Sequence, residues 1–209
     1  MGRRGFAVSE AKERLARAVK DVEGRTSAEI VVAVRRQSGD YAAADLRFAA
    51  LVALVTLLAV ALLPQSFDDA AFVVDPALFF LLALLASSRL PRLRRAFTMR
   101  TRRAENVRTA ARAAFVDLGV GRLPLRNGVL VYASQLEGAA EVVPDVGVDQ
   151  AAMGPAWTEA LAGLAKAMER GPDLDAFERA LRSLGPVLAR VLPRRDRDAN
   201  ELPDDASLE

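Results

Sequence analysis

Two apolar runs limit what this chain can become. From Phe48 to Phe67 there is no charged side chain, and Phe48 to Leu63 is apolar but for Thr56. A second run, Ala70 to Ser88, carries one charge, Asp75, near its start. As helix, each of these stretches is ~30 Å long, the thickness of a bilayer's hydrocarbon core. The alternative is a pair of buried helices in a large soluble core. Core helices of a 209-residue soluble chain keep a polar face, and LVALVTLLAVALL and ALFFLLALLA have none. The pattern therefore predicts a transmembrane helical hairpin over 45–90, with spans at 46–65 and 70–90.

Charge on the flanks predicts its orientation. The connector PQSFDDAA holds Asp68 and Asp69 and no Lys or Arg. Arg35, Arg36 and Arg47 precede the first span. Arg89, Arg92, Arg94, Arg95, Arg100, Arg102 and Arg103 follow the second. The positive-inside rule places both flanks in the cytoplasm and the connector outside. The expected location is the inner (plasma) membrane, with two spans and both termini cytoplasmic. The start, MGRRGFAVSE, has no apolar h-region and is not expected to be a cleavable signal. Asp75 is expected within a turn or two of the outer interface, where it reaches water; the alternative is an intramembrane proton relay.

On either side the periodicity is that of a soluble α/β protein. Val8, Leu15, Val19 and Val22 recur at helical spacing, with Ser9 as the expected cap and Gly24 as the stop. AEIVVAVRR is apolar on both faces, as a strand covered on both sides is. After the hairpin, RRAFTMRTRRAENVRTAARAAFVDLG reads as one long helix, stopped by Gly119 and Gly121. NGVLVYAS and AAEVVP, joined by the turn QLEG, read as two strands of a β-hairpin. PAWTEALAGLAKAMERG is a helix with Trp157, Leu161, Leu164 and Met168 on one face. PDLDAFERALRSLGPVLARVLP is another, with Asp173 as N-cap and Pro186 as an expected kink. Residues 193–209, charged and Pro-containing, read as a flexible tail.

One strand cannot stand unpaired, so residues 1–44 need the strands of 91–192 to complete a fold. The expected architecture is α/β: a three-layer sandwich with a small central mixed sheet of three to four strands flanked by helices, interrupted by the membrane hairpin. Both halves must then lie on one side of the membrane, as the Arg bias requires independently.

Composition removes much chemistry. There is no Cys and no His, so disulfides, thiolate nucleophiles, CxxC zinc sites, His bases and Ser-His-Asp triads are excluded. Gly119 to Gly121 is a helix stop and no GxxxxGK[ST] follows it. The carboxylates nearest predicted strand ends are Glu29, Asp40, Glu141 and Asp145. Converging at one sheet edge, they would suit a hard cation such as Mg²⁺ or Ca²⁺; the alternative is solvated strand-end charge. The candidate metal-binding residues are Glu29, Asp145 and Asn127, although Asn127-Gly128 also reads as turn chemistry entering a strand. The Arg run from Arg89 to Arg103 reads as a topology signal at the membrane surface, touching anionic headgroups, and possible dock for an acidic partner. Only Phe97 interleaves it, which speaks against nucleic acid.

The order of these pieces resembles the TPM domain family, and in particular its bacterial membrane-protein branch, in which a two-span hairpin interrupts the domain. The resemblance rests on Thr26-Ser27-Ala28-Glu29-Ile30-Val31-Val32, Asn127-Gly128-Val129-Leu130, Asp145 with Gly147, Trp157 and Asn200-Glu201-Leu202-Pro203-Asp204. It implies an alternative activity, an acid phosphatase-like hydrolysis with a divalent cation. Family members with that proposed activity often carry an acidic residue just before Asn-Gly-Val-Leu; here Arg126 stands there. The expected function is a non-enzymatic, membrane-anchored TPM-like module without cofactor. Its expected partners are the lipid bilayer and a membrane or envelope protein met at the cytoplasmic face.

Overall fold

The computed structural model describes residues 8–63, 67–169, 171, 173–194 and 207–208. The chain divides into two compact units. One comprises the segments up to Ser38 and from Ala104 onward; the other is Gly39–Arg103. The second unit is wider than the 45–90 expected from hydropathy, because it keeps the polar turns at the base of the apolar helices.

The first unit is a three-layer α/β sandwich. Its strands are β1 (Glu29–Arg35), β2 (Gly128–Ser134), β3 (Ala139–Pro144) and β4 (Ser207–Leu208), in the order β3-β2-β1-β4. β1 pairs in parallel with β2, Ile30 opposite Val129 and Val34 opposite Ala133. β2 and β3 form the expected antiparallel hairpin, with Val131 opposite Val142. β4 adds to the free edge of β1, with Ser207 opposite Ala33. The tail was expected to be loose throughout; its described end is instead a short strand, and Thr26 bridges to Pro193. The Asn200–Asp204 motif lies outside the described residues.

Side chains alternate across the sheet and build a core on each face. Ile30, Val32, Val34, Val129, Val131 and Ala133 pack under α1 (Val8–Glu23), α6 (Gln150–Glu169) and α7 (Leu174–Val191), with Leu15, Phe177, Leu181 and Leu188 fully buried. Val31, Ala33, Leu130 and Tyr132 pack against Val107, Ala111 and Ala114 of α5 (Arg100–Asp117). Arg14 ties α1 to α7 through Asp175 and Glu178, both at 2.6 Å.

Two parallel strands joined in sequence need a crossover connection. The segment between β1 and β2 supplies α5 as that crossover, so β1-α5-β2 is a βαβ unit into which Gly39–Arg103, including the first turn of α5, is inserted.

In the second unit, α2 (Ala42–Leu62) packs on α3 (Ala71–Arg89). Both are long and apolar enough to cross a membrane, and most of each is exposed rather than buried. Leu51, Leu54, Leu58, Val73, Leu78 and Leu82 are among the bare side chains. Few of their residues are buried: Ala44, Asp45, Ala49 and Val60 of α2, and Ala83 and Ser87 of α3. Asp75 lies in the second turn of α3, at its connector end.

Several local expectations need correction. α1 already runs from Val8, so Ser9 falls inside its first turn rather than before it. The single long helix before β2 is two, α4 (Pro91–Ala96) and α5, separated at Phe97–Met99. There Thr98 Oγ1 donates to the Arg94 carbonyl at 2.8 Å, and the Phe97 ring meets Phe48 edge-on at 5.2 Å. α6 is two helical pieces: the expected helix, which begins at Pro155, is preceded by a short one from Gln150. Asp149 Oδ1 accepts from Ala151 N at 3.0 Å there, and Gly154, at φ 60° and ψ −152°, turns the chain before Pro155. Asp173 caps α7 as expected, accepting from Ala176 N at 3.0 Å, and the helix continues through Pro186 without a break.

If the first unit is complete without the insert, replacing 39–103 with a flexible Gly/Ser linker leaves a soluble protein with one cooperative urea transition. In that background Phe177→Ala lowers stability by about 3–5 kcal/mol. A linker protein with no cooperative transition would show that the sandwich depends on the hairpin.

Candidate functional site

The residues that the sequence singled out gather where β1 and β2 begin. Asn127 Nδ2 donates to the Ser27 carbonyl, and the Asn127 carbonyl accepts from Glu29 N at 3.3 Å. Ser27 N donates to the Leu192 carbonyl at 3.0 Å, and Thr26 Oγ1 donates to the same oxygen at 2.5 Å. Thr26, Ser27 and Asn127 thus fasten the two parallel strands and the end of α7 together. All three are buried.

Glu29 lies opposite Gly128 on β2, and Asp145 N donates to the Gly128 carbonyl at 2.8 Å from the other side. The two buried carboxylates therefore flank one glycine, with two strand spacings, about 9–10 Å, between their backbones. Gly128 has no room for a side chain: a Cβ there would lie 2.6 Å from Val120 Cγ1 and 2.9 Å from the Val120 carbonyl oxygen. Gly147 is similarly confined. Its N–H donates to the Arg126 carbonyl at 3.0 Å, and a Cβ would lie 2.5 Å from that oxygen.

Arg126 sets the electrostatics of this edge. Its guanidinium pairs with Asp145 Oδ1 at 3.1 Å, the Arg half-exposed at 47% and the Asp buried at 2%. Arg126 Nη1 also donates to the Gly121 carbonyl. The residue holds φ at 55°, a left-handed conformation that costs a non-glycine residue roughly 1–2 kcal/mol. Asp145 Oδ1 further accepts from Val146 N at 2.7 Å. Asp145 Oδ2 is buried and has no hydrogen-bond partner among the described residues.

Of the expected metal-binding residues, Glu29, Asn127 and Asp145 come to one edge. Glu141 does not. Asp40 belongs to the hairpin unit, where its Oδ1 accepts from Ala42 N at 2.9 Å. Glu141 sits mid-strand opposite Tyr132, 4.0 Å from Arg108. Among the described residues no three acidic side chains come together in a group that could hold a metal ion. The Asn127 amide nitrogen faces a carbonyl, and the Asp145 carboxylate faces a cation. Asn127 Nδ2 and Asp145 Oδ1 are thus already engaged within the fold.

A second polar cluster, which sequence reasoning missed, closes the opposite end of the same strands. Buried Glu137 accepts from Ser38 N at 2.9 Å and from Ser134 Oγ. The Tyr132 and Ser38 hydroxyls share a hydrogen bond of 2.9 Å. Burial pushes the Tyr132 phenol's pKa up, opposed by that hydrogen bond. Gln135 N and Leu136 N donate to the Arg35 and Arg36 carbonyls, prolonging the pairing past the strands. Ser38, the last residue before the hairpin unit, is thereby fixed to β2 and its turn. Nothing in the local sequence QLEG distinguishes Glu137 from a solvated turn residue.

No family model matches this chain, and no curated protein of similar sequence was found. Its fold is similar to the NMR structure of BA42 protein from the psychrophilic bacterium Bizionia argentinensis sp. nov.. The TM-score is 0.58 at 17% identity, covering 98% of this chain and 96% of that one. At that identity the likeness is one of fold.

The geometry at Gly128 predicts that Gly128→Ala destabilises the protein by about 1–3 kcal/mol through overpacking against Val120. Asn127→Ala costs about 1–3 kcal/mol by leaving the Ser27 carbonyl buried without its donor. Equilibrium unfolding in urea measures both. An unchanged midpoint for either would remove this edge from the strand-fastening role.

Proposed function

We propose that this chain is a membrane-anchored, TPM-like α/β module without enzymatic activity, lying at the cytoplasmic face of the inner (plasma) membrane and binding a protein there. The observation that carries the reading is the insert itself. Two bare apolar helices interrupt a sheet whose β1 has its main partner only after them. A bilayer is the environment that covers such helices. The Arg-rich flanks and the acidic connector support two spans with both termini in the cytoplasm.

The protein-binding surface we assign is the edge where β1 and β2 begin. Leu125, 54% exposed, and Val146, 82% exposed, stand on adjoining loops beside Arg126. Exposed apolar side chains on loops fixed by a rigid sheet suit recognition of another protein.

The competing reading is a metal-dependent phosphatase of the TPM family. The buried Asp145 Oδ2, without a hydrogen-bond partner among the described residues, favours it. Against it, Arg126 occupies the approach to Asp145 at 3.1 Å, the wrong sign for a cation site. Detergent-purified protein is expected to show no hydrolysis of p-nitrophenyl phosphate above buffer with Mg²⁺, Ca²⁺ or Mn²⁺. Metal-dependent turnover that Asp145→Ala abolishes would replace the binding role with catalysis.

A further inference from the structure

Seven arginines lie between Arg89 and Arg103, and no Asp or Glu occurs between Asp75 and Glu105. The hairpin unit does not use these arginines alike. Arg94 turns inward. Its Nη2 pairs with Asp45 Oδ2 at 2.8 Å and its Nε donates to Asp45 Oδ1 at 3.1 Å. Asp45 is 7% exposed and also accepts from Ser87 Oγ at 2.7 Å. This pair joins the first turn of α2, the last turn of α3 and α4. It consumes the charge of Arg94 within the fold.

Arg89, Arg92, Arg100 and Arg102 remain exposed. Leu90 and Met99, also exposed, stand among them, and Leu82 and Leu85 are bare on the adjoining turns of α3. Guanidinium groups interleaved with exposed apolar side chains, at the end of an apolar helix, match the boundary between acyl chains and headgroups. The segment itself contains no acid to oppose Arg89, Arg92, Arg100 and Arg102.

We propose that Arg89, Arg92, Arg100 and Arg102 form a collar that binds the phosphates of anionic phospholipids at the base of the hairpin, while Arg94 is structural. The collar rests on the membrane reading above. Each guanidinium offers paired N–H donors to phosphate, and attraction to an anionic leaflet adds with each residue.

The test uses full-length protein in vesicles of phosphatidylcholine, alone or mixed with phosphatidylglycerol. Flotation after carbonate washing reports insertion. Native mass spectrometry of protein released from the mixed vesicles reports which lipid stays bound. Wild type inserts into both vesicles and retains phosphatidylglycerol over phosphatidylcholine by about tenfold or more, a preference that falls as salt rises. R89Q/R92Q/R100Q/R102Q still inserts and loses the preference, whereas the matching four-Lys variant keeps most of it. Insertion without preference in wild type overturns the collar but not the anchoring. Preference surviving the Gln variant overturns it too, as does equal competition by inorganic phosphate, which would mark a soluble ligand. Failure of wild type to insert into either vesicle overturns the membrane reading and the collar with it. Should the Gln variant not fold, a salt-independent preference in wild type is the contradicting result.

Discussion

The parallel pairing of β1 with β2 is the constraint on which the molecule is built. β1 is buried on both faces, so its backbone groups must be paired, and its main partner is 99 residues further on, Ile30 against Val129. A parallel partner demands a crossover, and α5 provides it. The apolar helical hairpin is an insertion in the connection between strand and helix of this βαβ unit. Both ends of the pairing are then secured by side chains. Asn127, Ser27 and Thr26 hold the start; Glu137, Ser38 and Tyr132 hold the finish. The second cluster fixes the residue at which the chain departs for the hairpin.

The hairpin unit follows different rules. Its helices expose their large apolar side chains, and the residues they bury are mostly small, Ala44, Ala49, Ala83 and Ser87 among them, as suits close approach of helix backbones. Its buried charges are confined to one end. There Asp45 is balanced by Arg94 and Ser87, so that the carboxylate is both paired and hydrogen-bonded. Removing either partner of such a pair costs far more than the pair itself contributes, since it strands the other charge.

Much of this was legible in the sequence. The three main strands, the sandwich and the discontinuity followed from alternation in EIVVAVR and GVLVYAS and from the impossibility of an unpaired strand. Both apolar helices followed from length and composition. The gathering of Glu29, Asn127 and Asp145 was foreseeable once β1 and β2 were adjacent, because all three stand at strand starts or ends. What they do there was not. That depends on Arg126 adopting a left-handed conformation and reaching Asp145, a tertiary event with no local signature. Glu137 and Asp45 were missed for the same reason: each looks solvated in its own sequence window and is buried by a partner 99 or 49 residues away. The helix break at Phe97–Met99 was invisible because nothing in RRAFTMRT is a helix breaker; the contact with Phe48 and the pairing of Arg94 override propensity.

We propose that one α/β domain, completed from both sides of a membrane hairpin, lies wholly on one side of the membrane, and that the Arg-rich flanks make this the cytoplasmic side. Reporter fusions in a bacterial inner membrane test it most directly. Alkaline phosphatase, active only outside the cytoplasm, should be active when fused after Asp69 and inactive when fused after Ser38 or Asp196. Opposite results at those two positions would place the two halves of the sheet where they could not pair, and activity at both would put the whole domain outside the cytoplasm; either result would contradict the account.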